Sequence, residues 1–465
     1  MEHNIDVVII GAGTAGLYAL SQVIQNRKSY LIVQNGEMGT TCARVGCMPS
    51  KVMIQAAEDF HRRKVFEREG IEGSEGLSVD KEEAMEFVRE LRDSFVERVK
   101  GNNDKRLKDH IIHGLAEFIK PGQLRVGNDT VNYGSVVIAS GSSPVIPKAW
   151  QAFSDRIITT DTLFELDQLP DSVAVIGLGV IGLEIGQALA RLDVDVTGID
   201  MAEQIGGVED PEILESVIAT IGREFPLWLG QPADVVEEDG QLRVTACDST
   251  VMVDKLLLSL GRSPNVSGMK LENLGLELDQ LGVPVHNPNT MQCGDQPVFL
   301  AGDVSGNRPI MHEAGDEGRI AGINAATGNI QAFKRKTPLA ITFSDPNICT
   351  AGATWSELDK ETTVVGQIKM APVGRALIMT KNRGLIRVYG DKQTGKILGT
   401  SIFAIKGEHL AHLMAWCIQQ QLTVFDLLKM PFYHPVIEEA LQAALRDLAS
   451  KVENKPAGMM DLEKM

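Results

Sequence analysis

Long hydrophobic runs are missing from this chain. No apolar stretch approaches the ~18 residues that a membrane-spanning helix needs, so no span is expected. Cysteine is scarce. Six in 465 residues do not make the disulfide framework of a secreted scaffold. Positive charge is in deficit: 45 Lys and Arg stand against 62 Asp and Glu, a net charge of −17. That balance argues against nucleic acid and against anionic membrane surfaces as partners. Low-complexity tracts are absent as well. The first strand, Val7–Ile10, starts almost at the N terminus, so no signal or transit peptide is expected. A reducing cytoplasm is then the default location. What remains is a chain 43% apolar, enough for globular cores and long enough for about three domains.

Two of the few cysteines carry a pattern. Cys42 and Cys47 lie in Thr41–Lys51, TCARVGCMPSK, a C-x4-C pair just before a helical run. A disulfide of that span would close a small, strained loop, and strained exposed disulfides are the labile, catalytic ones. Pro49 suits the first turn of a helix, where its missing N–H has no partner to lose. Cys47 is thereby placed near a helix N terminus, whose dipole favours a thiolate. The plain alternative is two buried cysteines. No second Cys or His pair has zinc-ligand spacing, so no metal is expected. Cys247, Cys293, Cys349 and Cys417 are isolated and read as core or bystander thiols.

Upstream lies a glycine pattern in its required setting. Asp6–Gly16, DVVIIGAGTAG, is a buried strand entering G-x-G-x-x-G, followed by a helix (Leu17–Gln25) and a second strand (Ser29–Val33). This is the dinucleotide-binding βαβ fingerprint. Gly11 permits the tight turn, Gly13 the approach of a pyrophosphate, and Gly16 the close helix packing. The ribose position at the end of the second strand is Gln34, an amide where an acid is usual. The pattern recurs in Val173–Glu184, VAVIGLGVIGLE, with Gly177, Gly179 and Gly182, then a helix (Leu183–Leu192) and a strand (Val194–Ile199). Here the ribose position holds an acid, Asp200, which would repel the 2′-phosphate of NADP. Met201 follows it and no Arg or Lys is near, so NAD is expected over NADP. Two fingerprints imply two nucleotide domains.

Other segments read less sharply. Val136–Ser143 and Leu256–Arg262 are buried strands ending in glycine, of the kind that closes a nucleotide domain. Phe299–Asp303 is a short buried strand ending in an acid, and alone Asp303 fits an ordinary turn or cap. Segments 205–212 and 282–290 read as loops. The tail holds two helical runs, within 410–421 and 436–450, and between them His434-Pro435 with Glu439 five residues on. Pro435 is expected to open the second helix. A lone His at a helix start fits a capping or surface role. A His oriented by a carboxylate also fits general acid–base work on a thiol.

Taken together, Gly39–Lys51 and His434–Glu439 resemble the redox and tail signatures of the flavoprotein pyridine nucleotide-disulfide oxidoreductases, over nearly the whole chain. Thr40 stands where the redox signature has its second glycine, and Val436 where the tail signature has threonine. The resemblance implies an α/β fold with two Rossmann-like domains and a C-terminal α+β dimerisation domain. The expected division is FAD binding over 1–150, NAD binding over 151–267, a return segment over 268–337 and an interface domain over 338–465. It further implies roles. Cys42 would attack the substrate disulfide and Cys47 would face the flavin. Lys51 would pair with Glu184 beside the flavin. FAD would be bound by Gly11, Gly13, Gly16, Gln34, Thr41, Cys42, Lys51, Ala116, Ser140, Gly141, Asp303, Met311 and His312. NAD would be bound by Gly177, Gly179, Gly182, Glu184, Asp200, Gly261 and Arg262. His434, backed by Glu439, would act on the Cys42 of the second subunit of a homodimer.

Within the family, mercuric reductases and large thioredoxin reductases use a C-terminal cysteine pair that this chain lacks. Soluble transhydrogenases lack the second redox cysteine, and glutathione reductases carry basic residues where this chain has Asp200-Met201-Ala202. The dihydrolipoamide dehydrogenases resemble it best. The expected reaction passes electrons from a dihydrolipoamide-like dithiol to the Cys42–Cys47 disulfide, to FAD and to NAD. The alternative is NAD(P)H-dependent reduction of another small disulfide, such as glutathione or CoA disulfide. A lipoyl-bearing protein is the macromolecular partner this implies.

Overall fold

The computed structural model of the chain describes residues 1–457 and 459–462. Gly458 and residues 463–465 of the C-terminal tail lie outside the described residues. Uninterrupted apolar runs such as Val7–Ile10 are buried on both faces, as strands in the middle of a parallel sheet must be. This strand, Glu2–Ile10, pairs in parallel with Tyr30–Gln34 on one side and Asp129–Ile138 on the other. The seven-stranded sheet continues outward to Ile111–His113 at one edge and to Gln123–Val126 and Ala116–Lys120 at the other. Val298–Leu300 returns from far along the chain to pair with Asp129–Ile138, again in parallel. Between the first two strands runs the helix Thr14–Gln25, packed on the helix Met311–Thr327.

A second parallel sheet repeats the plan. Its five strands run in the order Leu227–Leu229, Asp195–Asp200, Ser172–Ile176, Lys255–Leu258, Ile157–Ile158. The helix Val180–Arg191 joins the second and third of these. A three-stranded antiparallel meander, residues 234–253, flanks it. The two units are stitched by a short antiparallel ladder between Ser142–Pro144 and Arg262–Pro264.

Residues from 339 onward form a five-stranded antiparallel sheet, order 339–342, 347–352, 397–404, 385–391, 363–369, covered by the helices Gly407–Gln419 and Glu438–Lys451. This unit leaves large apolar side chains in water: Trp416, Met430 and Tyr433 are 62%, 51% and 80% exposed.

Four local expectations are corrected. Segment 205–212 is a loop only to Asp210. That residue caps the helix Pro211–Ile221, its Oδ1 accepting from the N–H groups of Glu212 and Ile213. Pro435 does not open the last helix, which begins three residues later at Glu438. Ile437 intervenes and turns inward to the core. Val136–Ser143 and Leu256–Arg262 are not single strands, because the chain breaks at Gly141, with φ +71°, and at Gly261, with φ +89°, before the stitching ladder.

Candidate active site

The two glycine loops are built alike. A Cβ on Gly16 would lie 1.9 Å from the carbonyl oxygen of Gly11, and one on Gly182 the same distance from that of Gly177. The third glycine is therefore what lets each helix sit against its own loop. Gly13 and Gly179 open the helices, and a Cβ there would meet nothing within 4 Å. Each loop thus presents bare helix N-terminal N–H groups to open space, the arrangement that binds pyrophosphate.

The residue ending the second strand serves the same contact in both units. The Oε1 of Gln34 accepts from the N–H of Ala12 at 2.7 Å, and the Oδ2 of Asp200 from the N–H of Leu178 at 2.6 Å. An amide thus keeps the loop contact of the acid while losing its charge. Beyond Asp200, Met201 is 73% exposed.

The redox segment is two short pieces of helix, Thr41–Arg44 and Cys47–His61. Cys47 is the first residue of the longer one, as its spacing before Pro49 predicts. Thr40 caps the shorter one, its Oγ1 accepting from the N–H of Ala43 at 3.2 Å. It does so at φ +64°, ψ 146°, a conformation that glycine tolerates and threonine does not. Cys42 and Cys47 are present as thiols with their sulfurs side by side. The proton shared from Cys42 pulls Cys47 down to about 7, Lys51 adds to this, and burial and Glu184 oppose it. Cys42 moves far the other way, first because its proton is held by Cys47 and then through burial. The pair shares a proton in a way that makes Cys47 the more readily ionised of the two.

Lys51 stands one turn into the same helix. Its Nζ lies 2.6 Å from Glu184 Oε2 and 4.5 Å from the centre of the Phe343 ring. Glu184 is buried, and its other oxygen accepts from the N–H of Phe343 at 2.7 Å. One contact therefore gathers the redox helix, the second nucleotide unit and the C-terminal unit. At the far end, His434 Nδ1 is 2.8 Å from Glu439 Oε1, and Glu439 Oε2 accepts from the N–H of Val436 at 3.1 Å. The imidazole is fixed on one side by Glu439, and its side chain is 81% exposed. It borders a cavity of about 490 Å³ lined also by Val373, Arg375 and Ile378.

The remaining predicted residues are spread over both nucleotide units. Asp303 begins the turn after Val298–Leu300, and its Oδ2 accepts from the Ser142 hydroxyl at 2.9 Å. Ser140 Oγ is buried without a partner. Ala116 buries its methyl in the core, and Met311 and His312 are exposed at the start of their helix. Thr41 is exposed as the first residue of its short helix. Gly261 sits at φ +89° in the return loop of the second unit with open space at its Cβ position. Arg262 departs from expectation. Its guanidinium points back to Ser142 of the first unit and also bonds Thr160 of its own unit. Glu317 and Phe343 went unrecognised, since an acid in a helix and an aromatic before a strand carry no sequence signal of a site.

Residues 5–318 match the family model for pyridine nucleotide-disulphide oxidoreductase. The chain belongs to this family. Residues 339–445 match the family's dimerisation domain, which supports a homodimer. The chain is 28% identical over 462 residues to dihydrolipoyl dehydrogenase 2 of Haloarcula marismortui, covering 94% of this chain and 95% of that one. It is 29% identical over 455 residues to dihydrolipoyl dehydrogenase of Thermus scotoductus, covering 95% and 97%. A mercuric reductase of Lysinibacillus sphaericus is 28% identical over 458 residues, covering 95% of this chain and 82% of the relative. The fold superposes on the HOCl-induced flavoprotein disulfide reductase RclA of Escherichia coli with a TM-score of 0.83 at 22% identity, over 97% of this chain and 100% of that one.

This pyridine nucleotide-disulphide oxidoreductase is a dihydrolipoamide dehydrogenase-like, FAD- and NAD-dependent enzyme. The residues present fit both groups. Two unobstructed glycine loops open on helix N termini, and beside the first are the unpartnered hydroxyl of Ser140 and the carboxylate of Asp303. No helix among the described residues is long and apolar enough to cross a membrane.

Proposed function

We propose that the enzyme oxidises a dihydrolipoamide-type dithiol and reduces NAD⁺, through Cys42 and Cys47. In this reading residues 1–150 and 268–337 bind FAD, 151–267 bind NAD and 338–465 form the dimer interface. The substrate dithiol exchanges with a Cys42–Cys47 disulfide, leaving a substrate disulfide and two enzyme thiols. Bound FAD supplies the two-electron link from these thiols to NAD⁺. Cys42 meets the substrate, Cys47 stays as the thiolate, and Lys51 with Glu184 holds positive charge beside it. His434 takes the substrate proton at Nε2 while Glu439 holds Nδ1. Glu439 already satisfies its own chain's side of the ring, and the rest of the exposed imidazole is free to reach the Cys42 of a second copy. The exposed Trp416, Met430 and Tyr433 would be covered there. A cytoplasmic location goes with a disulfide that must cycle.

The thiol–thiolate pair carries this reading, and Asp200 supports NAD. The test is a substrate panel: dihydrolipoamide, lipoylated protein domains, glutathione and coenzyme A, each as thiol and disulfide, with both nicotinamide coenzymes. Turnover of dihydrolipoamide with NAD⁺ at least tenfold above any other pairing is expected. Greater turnover of glutathione or CoA disulfide replaces the substrate assignment and leaves the cysteine chemistry intact.

A further inference from the structure

Arg262 sits in the second nucleotide unit, next to Gly261, and would be grouped with the NAD loop by sequence. Two of its three side-chain hydrogen bonds run to the first unit. Nε donates to the Ser142 hydroxyl at 2.8 Å, one terminal nitrogen to the Ser142 carbonyl at 2.7 Å, and the other to the Thr160 hydroxyl at 3.2 Å. Ser142 in turn donates to Asp303 Oδ2 at 2.9 Å. A hydroxyl has one proton and two lone pairs. With Arg262 donating to the oxygen, the proton is left for Asp303. The guanidinium therefore sets the direction of the Ser142 hydroxyl, and through it the orientation of the Asp303 carboxylate.

The same turn is gripped from below. Glu317, fully buried, accepts from the Gly302 N–H at 2.8 Å and from the Ser305 hydroxyl at 3.3 Å. Arg335 compensates its charge at 3.2 Å. Gly302, at φ +80°, leaves no room above it, since a Cβ there would sit 2.9 Å from that of Ala15 in the helix of the first glycine loop. The Gly302–Asp303 turn is thus pinned at its N–H, by the loop helix and by its own carboxylate. Of these, the carboxylate contact continues through Ser142 to Arg262 of the other nucleotide unit.

We infer that Arg262 is a positioning residue for the flavin side of the enzyme, acting through Ser142 on Asp303, and is not part of the NAD site. The inference rests on Asp303 being a flavin-binding residue. Retention of FAD then depends on a residue in the return loop of the NAD unit, which mechanically couples the two nucleotide sites.

The test uses the FAD-loaded dimer and follows FAD release on dilution by the rise of free-flavin fluorescence, beside the KM for NADH. Arg262→Met and Ser142→Ala should each speed release roughly tenfold, the loss of one charge-assisted contact. The KM for NADH should stay within about twofold. Ser142→Thr keeps the hydroxyl and should release FAD as the parent does. Asp303→Asn, run in parallel, tests the underlying reading. If it releases FAD at the parent rate, Asp303 does not hold the flavin and both statements fall. If it releases FAD faster while Arg262→Met and Ser142→Ala do not, only the relay is overturned. Faster release in Arg262→Met alone overturns it too, because the arginine then acts without Ser142. A raised KM for NADH with unchanged FAD release returns Arg262 to the NAD site.

Discussion

Replacing Cys42 by alanine isolates what keeps the Cys47 sulfur ionised. Cys47 titrates at about 7 instead of the ordinary 9.0, and the largest cause is the proton it shares with Cys42. A hydrogen bond to a charged acceptor is worth about 1.5–3 kcal/mol, which corresponds to roughly 1–2 pKa units. Cys42→Ala should therefore move the midpoint up to about 8–9, since Lys51 and the helix N terminus remain. The sign follows from the lowered value: thiolate is present above the midpoint and lost below it. At pH 7 about half of the reduced Cys47 is ionised in the parent, and roughly 1–10% would be in Cys42→Ala. The assay is ultraviolet thiolate absorbance of the reduced, flavin-free protein between pH 5 and 10, with Cys47→Ser as blank. Lys51→Met should raise the midpoint by a smaller step, because Lys51 stands below the Cys42 contact among the causes. A midpoint that stays near 7 in Cys42→Ala refutes the reasoning and gives the thiolate to Lys51 and the helix. A parent midpoint near 9 refutes the thiolate altogether.

Thr40→Gly should stabilise the protein. Relief of about 1–3 kcal/mol of backbone strain outweighs a few tenths for the cap and roughly 0.5–1 for added chain entropy, so a calorimetric scan should show a rise of a few degrees. No rise would mean that the Ala43 contact is worth more than the strain. Asp200→Ser combined with Met201→Arg should shift the ratio of catalytic efficiencies for NADP(H) over NAD(H) upward by roughly 5–150-fold, and an unchanged ratio would show that Asp200 does not face the ribose. His434→Gln should cost ~10²–10⁴ in disulfide turnover, and Glu439→Gln less, because it removes orientation and not the base. Mixing inactive Cys42→Ser and His434→Gln chains should restore activity in heterodimers. Verified subunit exchange with no recovery would end the proposal that the site is shared.

Much of the fold was open to reading because its signals are local. A buried strand, a glycine that must let two backbones touch, and a helix follow one another within about thirty residues. Gly16 and Gly182 show why the pattern is stringent, since a side chain at either would collide with a carbonyl of the same loop. The C-terminal unit was less legible. Pro435 looks like a helix start, but Ile437 turns into the core first and the helix waits for Glu438. Tertiary burial overrode a local preference there. The loop at 205–212 failed for the opposite reason: Asp210-Pro211 is itself a helix-start signal, an N-cap followed by proline at the first helical position.

The site divides along the same line. The residues the motifs named do gather, because the motifs are themselves pieces of backbone geometry: Cys42 with Cys47, Lys51 with Glu184, His434 with Glu439. Motif reading assigns the role of a side chain by its neighbours in the chain, and it fails where a long side chain works for a different neighbourhood. Arg262 follows Gly261, yet the antiparallel ladder to Ser142–Pro144 carries its guanidinium to the turn of Asp303. Glu317 looks like any acid on a helix, and its role shows only in its complete burial against the Gly302 N–H. Arg262 acts across a junction that exists only once the second strand set has formed and the chain has returned at Val298–Leu300. That contact is specified by topology, since its two ends lie 120 residues apart in the chain. The same junction gives the reason for the coupling: a chain that leaves the first nucleotide unit and later returns to it must cross between the sites twice. Ser142 and Arg262 stand on those two crossing strands.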